Sequence, residues 1–231
     1  MIKVVFIRHG QTDYNKNKIF CGWTDAELNE EGIKEAHNAG KILKDNGYVF
    51  DIAFTSVLKR AIDTAKIIIQ EIGQNDLPIK YSWRLNERHY GALQGQKHED
   101  VAKIEGKEQV HIWRRSYSVK PPQLKEDDPR YPGFDPKYKD LDRSILPRGE
   151  SLEDTMNRTI PYWNDEILPD IKAGKRVIVS ASGNSLRAII KYIDEISDED
   201  IVALEIATGM PIVYEIDENS GKPIGHYNLD K

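Results

Sequence analysis

At 231 residues, with 31% charged residues and a net charge of −5, the chain is long enough for one large α/β core with a soluble surface. That charge excludes a broad nucleic-acid-binding face and leaves any anion site to a local cluster of cations. One cysteine, Cys21, excludes an intrachain disulfide and implies a reducing, cytoplasmic setting; no stretch reads as a membrane span or a signal peptide.

In chain order, Ile2 to Ile7 is a β-branched and aromatic run that predicts a buried strand. It ends in Arg8-His9-Gly10, where open α/β sheets place their ligand crevice, and Gly10 permits a turn and a close approach. Glu30 to Asn46 shows helical spacing through Ile33, Ala36, Ala39 and Leu43, with Gly47 as the stop. Ile52 to Thr55 is a short strand, and Ser56 is expected to cap a helix burying Leu58, Ala61, Ile62, Ala65 and Ile69 and ending near Gly73. Between Pro121 and Pro147 prolines, charges and tyrosines predict a long irregular excursion, a candidate cover for the site. Ser151 opens a helix with Asp154 three residues on, an acidic form of the capping box. Arg176 to Ala181 is a second central strand, and Ser182-Gly183-Asn184 turns it into a helix from Ser185 to Ile193. Alternating strands and helices predict one domain over residues 1–231, a three-layer α/β/α sandwich around a mostly parallel sheet.

The chemistry concentrates in five segments. Arg8-His9-Gly10-Gln11-Thr12, continuing to Asn15, sets an imidazole beside a guanidinium, a pairing suited to nucleophilic attack on a phosphoryl group. Thr55 to Ala61 carries Arg60 into the first turns of a helix that follows a strand. Leu85-Asn86-Glu87-Arg88-His89-Tyr90-Gly91 packs an acid, two potential cations and a phenol ahead of a glycine. Trp113-Arg114-Arg115 offers two adjacent cations, and Ser182 to Ser185 offers free N–H groups at a helix start. Each alone has an ordinary structural explanation; the combination is specific. No dense His/Cys/Asp cluster has metal-ligand spacing.

Together with Phe20-Cys21-Gly22-Trp23, Ser82 to Gly91, Gln109 to Arg115, Gly183-Asn184-Ser185-Leu186-Arg187 and Thr208-Gly209-Met210-Pro211, these segments resemble the cofactor-dependent phosphoglycerate mutases of the histidine phosphatase superfamily, across essentially the whole chain. The resemblance implies an isomerase of glycolysis and gluconeogenesis that interconverts 2- and 3-phosphoglycerate. His9 is then the residue that becomes phosphorylated, primed by 2,3-bisphosphoglycerate and without a metal. Arg8 and Arg60 would hold the phosphoryl oxygens, and Glu87 would give and take the proton of the substrate hydroxyl. Gln11, Thr12, Asn15, Cys21, Gly22, Arg88, His89, Tyr90, His98, Arg114, Arg115, Gly183 and Asn184 fall on positions around the phosphoglycerate. Of these, Arg114 and Arg115 suit a two-pronged grip on a carboxylate or second phosphate. Small phosphoglycerates are the expected partners, with no nucleic acid or membrane, and a homo-oligomer (dimer or tetramer) is expected.

Two positions depart from the pattern. The family's second active-site histidine is replaced by Ser182, whose shorter side chain offers one neutral donor; losing a positioned donor typically costs about 10²–10³ in rate. A mutase scaffold with impaired turnover is therefore expected. Position 98, where the family has lysine, is His98, which predicts phosphoglycerate affinity falling as pH rises through its titration. A bisphosphoglycerate synthase or phosphatase on the same site, or a catalytically weak phospholigand-binding protein, are the competing readings; Gly22, where synthase-like members are bulkier, leans toward the mutase.

Overall fold

The computed structural model describes residues 1–230. Its strands are β1 (Ile2–Arg8), β2 (Ile52–Thr55), β3 (Ile79–Tyr81), β4 (Val177–Ala181), β5 (Pro211–Ile216) and β6 (Pro223–Asn228). They form one sheet in the order β3-β2-β4-β1-β5-β6. β3, β2, β4 and β1 are parallel, β5 runs antiparallel to β1, and β6 antiparallel to β5. The helices are α1 (Asp13–Lys16), α2 (Glu30–Asp45), α3 (Lys59–Glu71), α4 (His98–Glu105), α5 (Lys107–Arg115), α6 (Leu152–Tyr162), α7 (Leu168–Lys172) and α8 (Gly183–Ile193).

Alternation along the strands builds two cores, as the period-2 geometry of a sheet requires. Val4 and Phe6 of β1 face Trp163, Ile167, Leu186 and Ile189 on the side covered by α6 and α8. Val5 and Ile7 face Ala39, Leu43, Ile68 and Ile69 on the side covered by α2 and α3. The expected three layers are therefore present. β1 and β4 are buried on both faces, which is why each reads as a continuous apolar run.

Several predicted details shift. α2 buries Gly32, Ala36, Ala39, Gly40 and Leu43, while Ile33 stays exposed. Gly32 replaces it because the loop after β1 crosses the helix there: a Cβ on Gly10 would lie 2.2 Å from Gly32 O, and one on Gly32 2.0 Å from Gln11 O. α3 starts at Lys59, not after Ser56. Ser56 Oγ instead accepts the N–H of Leu58, holding an extended step before the helix, and Ile62 is only half-buried. α8 begins two residues earlier than expected, with Ser182 as the residue preceding its first turn. α6 starts as predicted, with Ser151 and Asp154 closing a reciprocal capping box.

The proline-rich segment contains three short 3₁₀ turns, at Pro132–Phe134, Pro136–Tyr138 and Arg143–Ile145. It packs Tyr138 against Trp23, with ring centroids 4.9 Å apart, and the Tyr138 hydroxyl accepts from Asn86 Nδ2 at 2.9 Å. Pro122 O accepts from Ala92 N, and Arg130 Nη1 donates to Gln94 O. The segment thus braces the 86–94 loop from behind, and none of the residues lining the cavity beside Arg8 and Arg60 comes from it.

Candidate active site

β1 and β4 are neighbours in parallel, so the residues just past their carboxyl ends meet: His9 N donates to Ala181 O at 3.0 Å, and Ser182 follows Ala181. His9 is 2% exposed. Its Nδ1 bonds Gly10 O at 2.8 Å, and a carbonyl can only accept, so Nδ1 carries the proton and Nε2 keeps a lone pair. That lone pair accepts from Arg60 Nε at 3.1 Å. Burial, followed by the charges of Arg60 and Arg8, holds the imidazole well below its usual basicity, so the ring is a neutral nucleophile.

Arg60 is in the first turn of α3 and completely fixed: Nη1 donates to Thr24 O and Nη2 to Gly22 O. Arg8 donates from Nη1 to Ile206 O at 2.7 Å, but its Nε is buried with no partner among the described residues. The Ser182 hydroxyl is likewise fully buried and unpartnered. These two orphans flank one turn, because a Cβ on Gly183 would lie 3.3 Å from Arg8 Nε. Buried donors left without partners mark a place built for a ligand's acceptors. Glu87 approaches from the other side, its Oε1 accepting from Arg88 N at 2.7 Å and from Asn184 N, in the first turn of α8, at 3.1 Å.

Above these groups lies a cavity of ≈ 620 Å³. Arg8, Asn15, Cys21, Gly22, Arg60, Glu87, Tyr90, His98, Arg114, Arg115, Gly183 and Asn184 all line it. The sequence reading therefore gathered side chains from well-separated stretches into one wall. His9 and Ser182 lie just beneath the lining. Four expected residues sit elsewhere. Gln11 bonds Asn29 and Thr12 caps α1. Arg88 is fully buried against the carbonyl of Arg114, and His89 is fully buried against Trp23. Within the 86–91 loop, Glu87 and Tyr90 face the cavity while Arg88 and His89 between them are fully buried behind it.

His98 lines the cavity with its ring against Phe20, centroids 4.3 Å apart. Burial, then the charges of Arg114 and Lys18, bring its pKa down to about 4. The ring is neutral across the neutral pH range, which removes the expected loss of affinity as pH rises there. Burial also pushes the Cys21 thiol up, making it an inert wall rather than a thiolate.

The sequence reading missed Lys18, Arg187 and Glu205, which also line the cavity. Arg187 is 3% exposed and donates to Asn184 Oδ1, Arg115 O and Ile201 O. Its place one turn after Gly183, followed by the apolar run Ala188, Ile189 and Ile190, was the available signal.

Residues 4–228 match the family model described as histidine phosphatase superfamily (branch 1). Among solved structures, the chain is similar to a mycobacterial glucosyl-3-phosphoglycerate phosphatase in complex with VO3, at 23% identity and a TM-score of 0.72, covering 96% of each chain. It is also similar to the α-ribazole phosphatase of Shigella flexneri, at 19% identity and a TM-score of 0.69, over 96% of this chain and 93% of that one. At these identities the likeness concerns the fold.

Proposed function

The chain belongs to branch 1 of the histidine phosphatase superfamily, and we propose that it passes phosphoryl groups through His9 between the 2- and 3-positions of phosphoglycerate, primed by 2,3-bisphosphoglycerate. The observation that carries this reading is the state of His9: a neutral ring, oriented by Gly10 O, with its Nε2 lone pair directed at Arg60 beneath a cavity that also holds Arg114 and Arg115. The Nε2 pair attacks phosphorus, the bond from phosphorus to the donor oxygen breaks, and Glu87 supplies the proton that oxygen takes. In the reverse half, Glu87 takes the proton of the acceptor hydroxyl as that oxygen attacks the phosphohistidine. As charge spreads over the phosphoryl oxygens, the fixed Arg60 guanidinium beside Nε2 attracts them, and the unpartnered Arg8 Nε–H and Ser182 O–H become useful donors.

A second reading, hydrolysis of the phosphohistidine by water, is favoured by Ser182. A hydroxyl in place of an imidazole weakens the hold on the group in transfer, and the two similar structures above are named as phosphatases. Incubation with 2,3-bisphosphoglycerate should leave an acid-labile phosphate on His9, detectable by mass spectrometry, and none in His9→Ala. Conversion of 3- to 2-phosphoglycerate that depends on the bisphosphate supports the mutase; release of inorganic phosphate alone supports the phosphatase. Absence of label on His9 overturns both.

A further inference from the structure

Between α8 and β5 the chain makes a 3₁₀ turn at Asp200–Ala203 and then runs to Thr208, which bridges to Arg8. This strap holds three arginines of the cavity. Ile201 O accepts from Arg187 Nη2 at 2.7 Å and Ile206 O from Arg8 Nη1 at 2.7 Å. The third, Arg115, is held by the Glu205 carboxylate through Arg115 Nη2. The first two partners are backbone carbonyls, fixed by the fold. The third is a side chain that is itself 74% exposed, holding a guanidinium that is 18% exposed. One end of this ion pair is largely buried and the other stands mostly in solvent.

Arg8 and Arg60 are the cations that act on His9, whereas Arg115 acts on Arg8, Arg114 and Arg187. A carboxylate on Arg115 therefore relieves repulsion among the cavity's guanidinium groups, while Arg115 itself is not among the charges acting on His9. The geometry points to Glu205 as an internal stand-in for the second anion of the substrate: its carboxylate holds Arg115 where a substrate carboxylate binds, and that binding displaces it. This rests on the phosphoglycerate reading of the cavity above. Glu205 is then a residue that determines specificity. It opposes every ligand whose far end must take Arg115, and is indifferent to one that carries only the phosphate. An ion pair this exposed is weak, so displacement costs little and affinity is tuned rather than blocked.

The test compares 3-phosphoglycerate with glycerol 3-phosphate, which lacks the carboxylate, by calorimetric titration of the parent protein, Glu205→Gln and Glu205→Asp. Glu205→Gln should tighten 3-phosphoglycerate by up to about fivefold, the scale of an exposed pair, and raise its preference over glycerol 3-phosphate. Glu205→Asp, which keeps the charge, should stay near the parent. An equal shift for both ligands would reduce Glu205 to a general field effect. Weaker binding of 3-phosphoglycerate to Glu205→Gln would make it a direct substrate contact. Either result overturns the stand-in. If neither ligand binds the parent protein, the phosphoglycerate reading itself falls, and the stand-in with it.

Discussion

Ser182 is where residue chemistry and family pattern disagree. The turn leaves its hydroxyl fully buried, with no partner for its proton among the described residues, although Ser182 N donates to Ser185 Oγ and its carbonyl is used by α8. An unsatisfied buried hydroxyl costs about 1–3 kcal/mol, a penalty that a phosphoryl oxygen accepting from it would remove. It still cannot deliver the charge of an imidazolium, so the proposed transfer would rely on Arg8 and Arg60. Replacing it, Ser182→His, should raise phosphoryl turnover about 10²–10³-fold if a second imidazole is what the site lacks. Coupled-assay kcat would read this, with thermal melting to show that the larger ring is accommodated. A folded variant with unchanged kcat would mean that the chain has re-optimised its site around the hydroxyl.

At the scale of elements, the 86–91 loop owes its placement to α6. Glu150, just before that helix, accepts from His89 N at 2.8 Å and from Arg158 Nε at 2.7 Å, while Arg158 Nη2 donates to Glu87 O at 2.9 Å. Trp23 Nε1 donates to the same carbonyl at 2.6 Å. Glu87 therefore reaches the cavity from a backbone tied by a buried ion pair on one side and an indole on the other. Breaking such a pair by removing one charge typically costs about 3–5 kcal/mol. Glu150→Gln should lose stability on that scale in urea denaturation, and at temperatures where it remains folded kcat should fall more than KM changes. Loss of stability with unaltered kinetics would show that Glu87 is held without the Glu150–Arg158 pair. This tie was not legible in the sequence, because Glu150 and Arg158 look like ordinary charges ahead of a helix and within it. β1, β2, β4 and α2 were legible, since their periodicity is set by burial against the sheet. Most of the cavity wall was legible too, because its side chains sit in compact motifs at strand ends. The strap at 200–206 was not: two of its three contacts are backbone carbonyls, which carry no residue-type signal.

For the whole molecule, the site gathers cations that the net charge of −5 conceals, and it gathers them at the carboxyl edge of a sheet whose central strands β1 and β4 are dry on both faces. No helix among the described residues is long and apolar enough to cross a membrane. The same dryness makes the fold sensitive to acid through its histidines. Burial, then the charges of Arg158 and Arg130, takes His89 from an ordinary 6.5 to about 3; His98 falls to about 4 and His9 falls in the same direction. Because these folded-state values are depressed, the unfolded chain takes up protons that the folded chain refuses. Their stabilisation is complete above about pH 6.5 and is lost progressively as pH falls toward 3. A fully buried histidine contributes roughly 1.4 kcal/mol for each pH unit in that window, so His89 alone removes about 3 kcal/mol between pH 6.5 and pH 4.5. Urea midpoints measured across that interval should fall steeply. In His89→Asn, whose side-chain oxygen can still accept the Gly91 N–H that His89 Nδ1 accepts at 2.9 Å, the slope should flatten by about 1.4 kcal/mol per unit. An unchanged slope in that variant would move the origin of the acid sensitivity in this interval to the other depressed histidines, His98 and His9. Carboxylates held low by arginine, such as Asp51 beside Arg176 and Asp128 beside Arg130, lose their stabilisation only as pH falls below their ordinary 3.8, so the position of the fall along the pH axis separates them from the histidines.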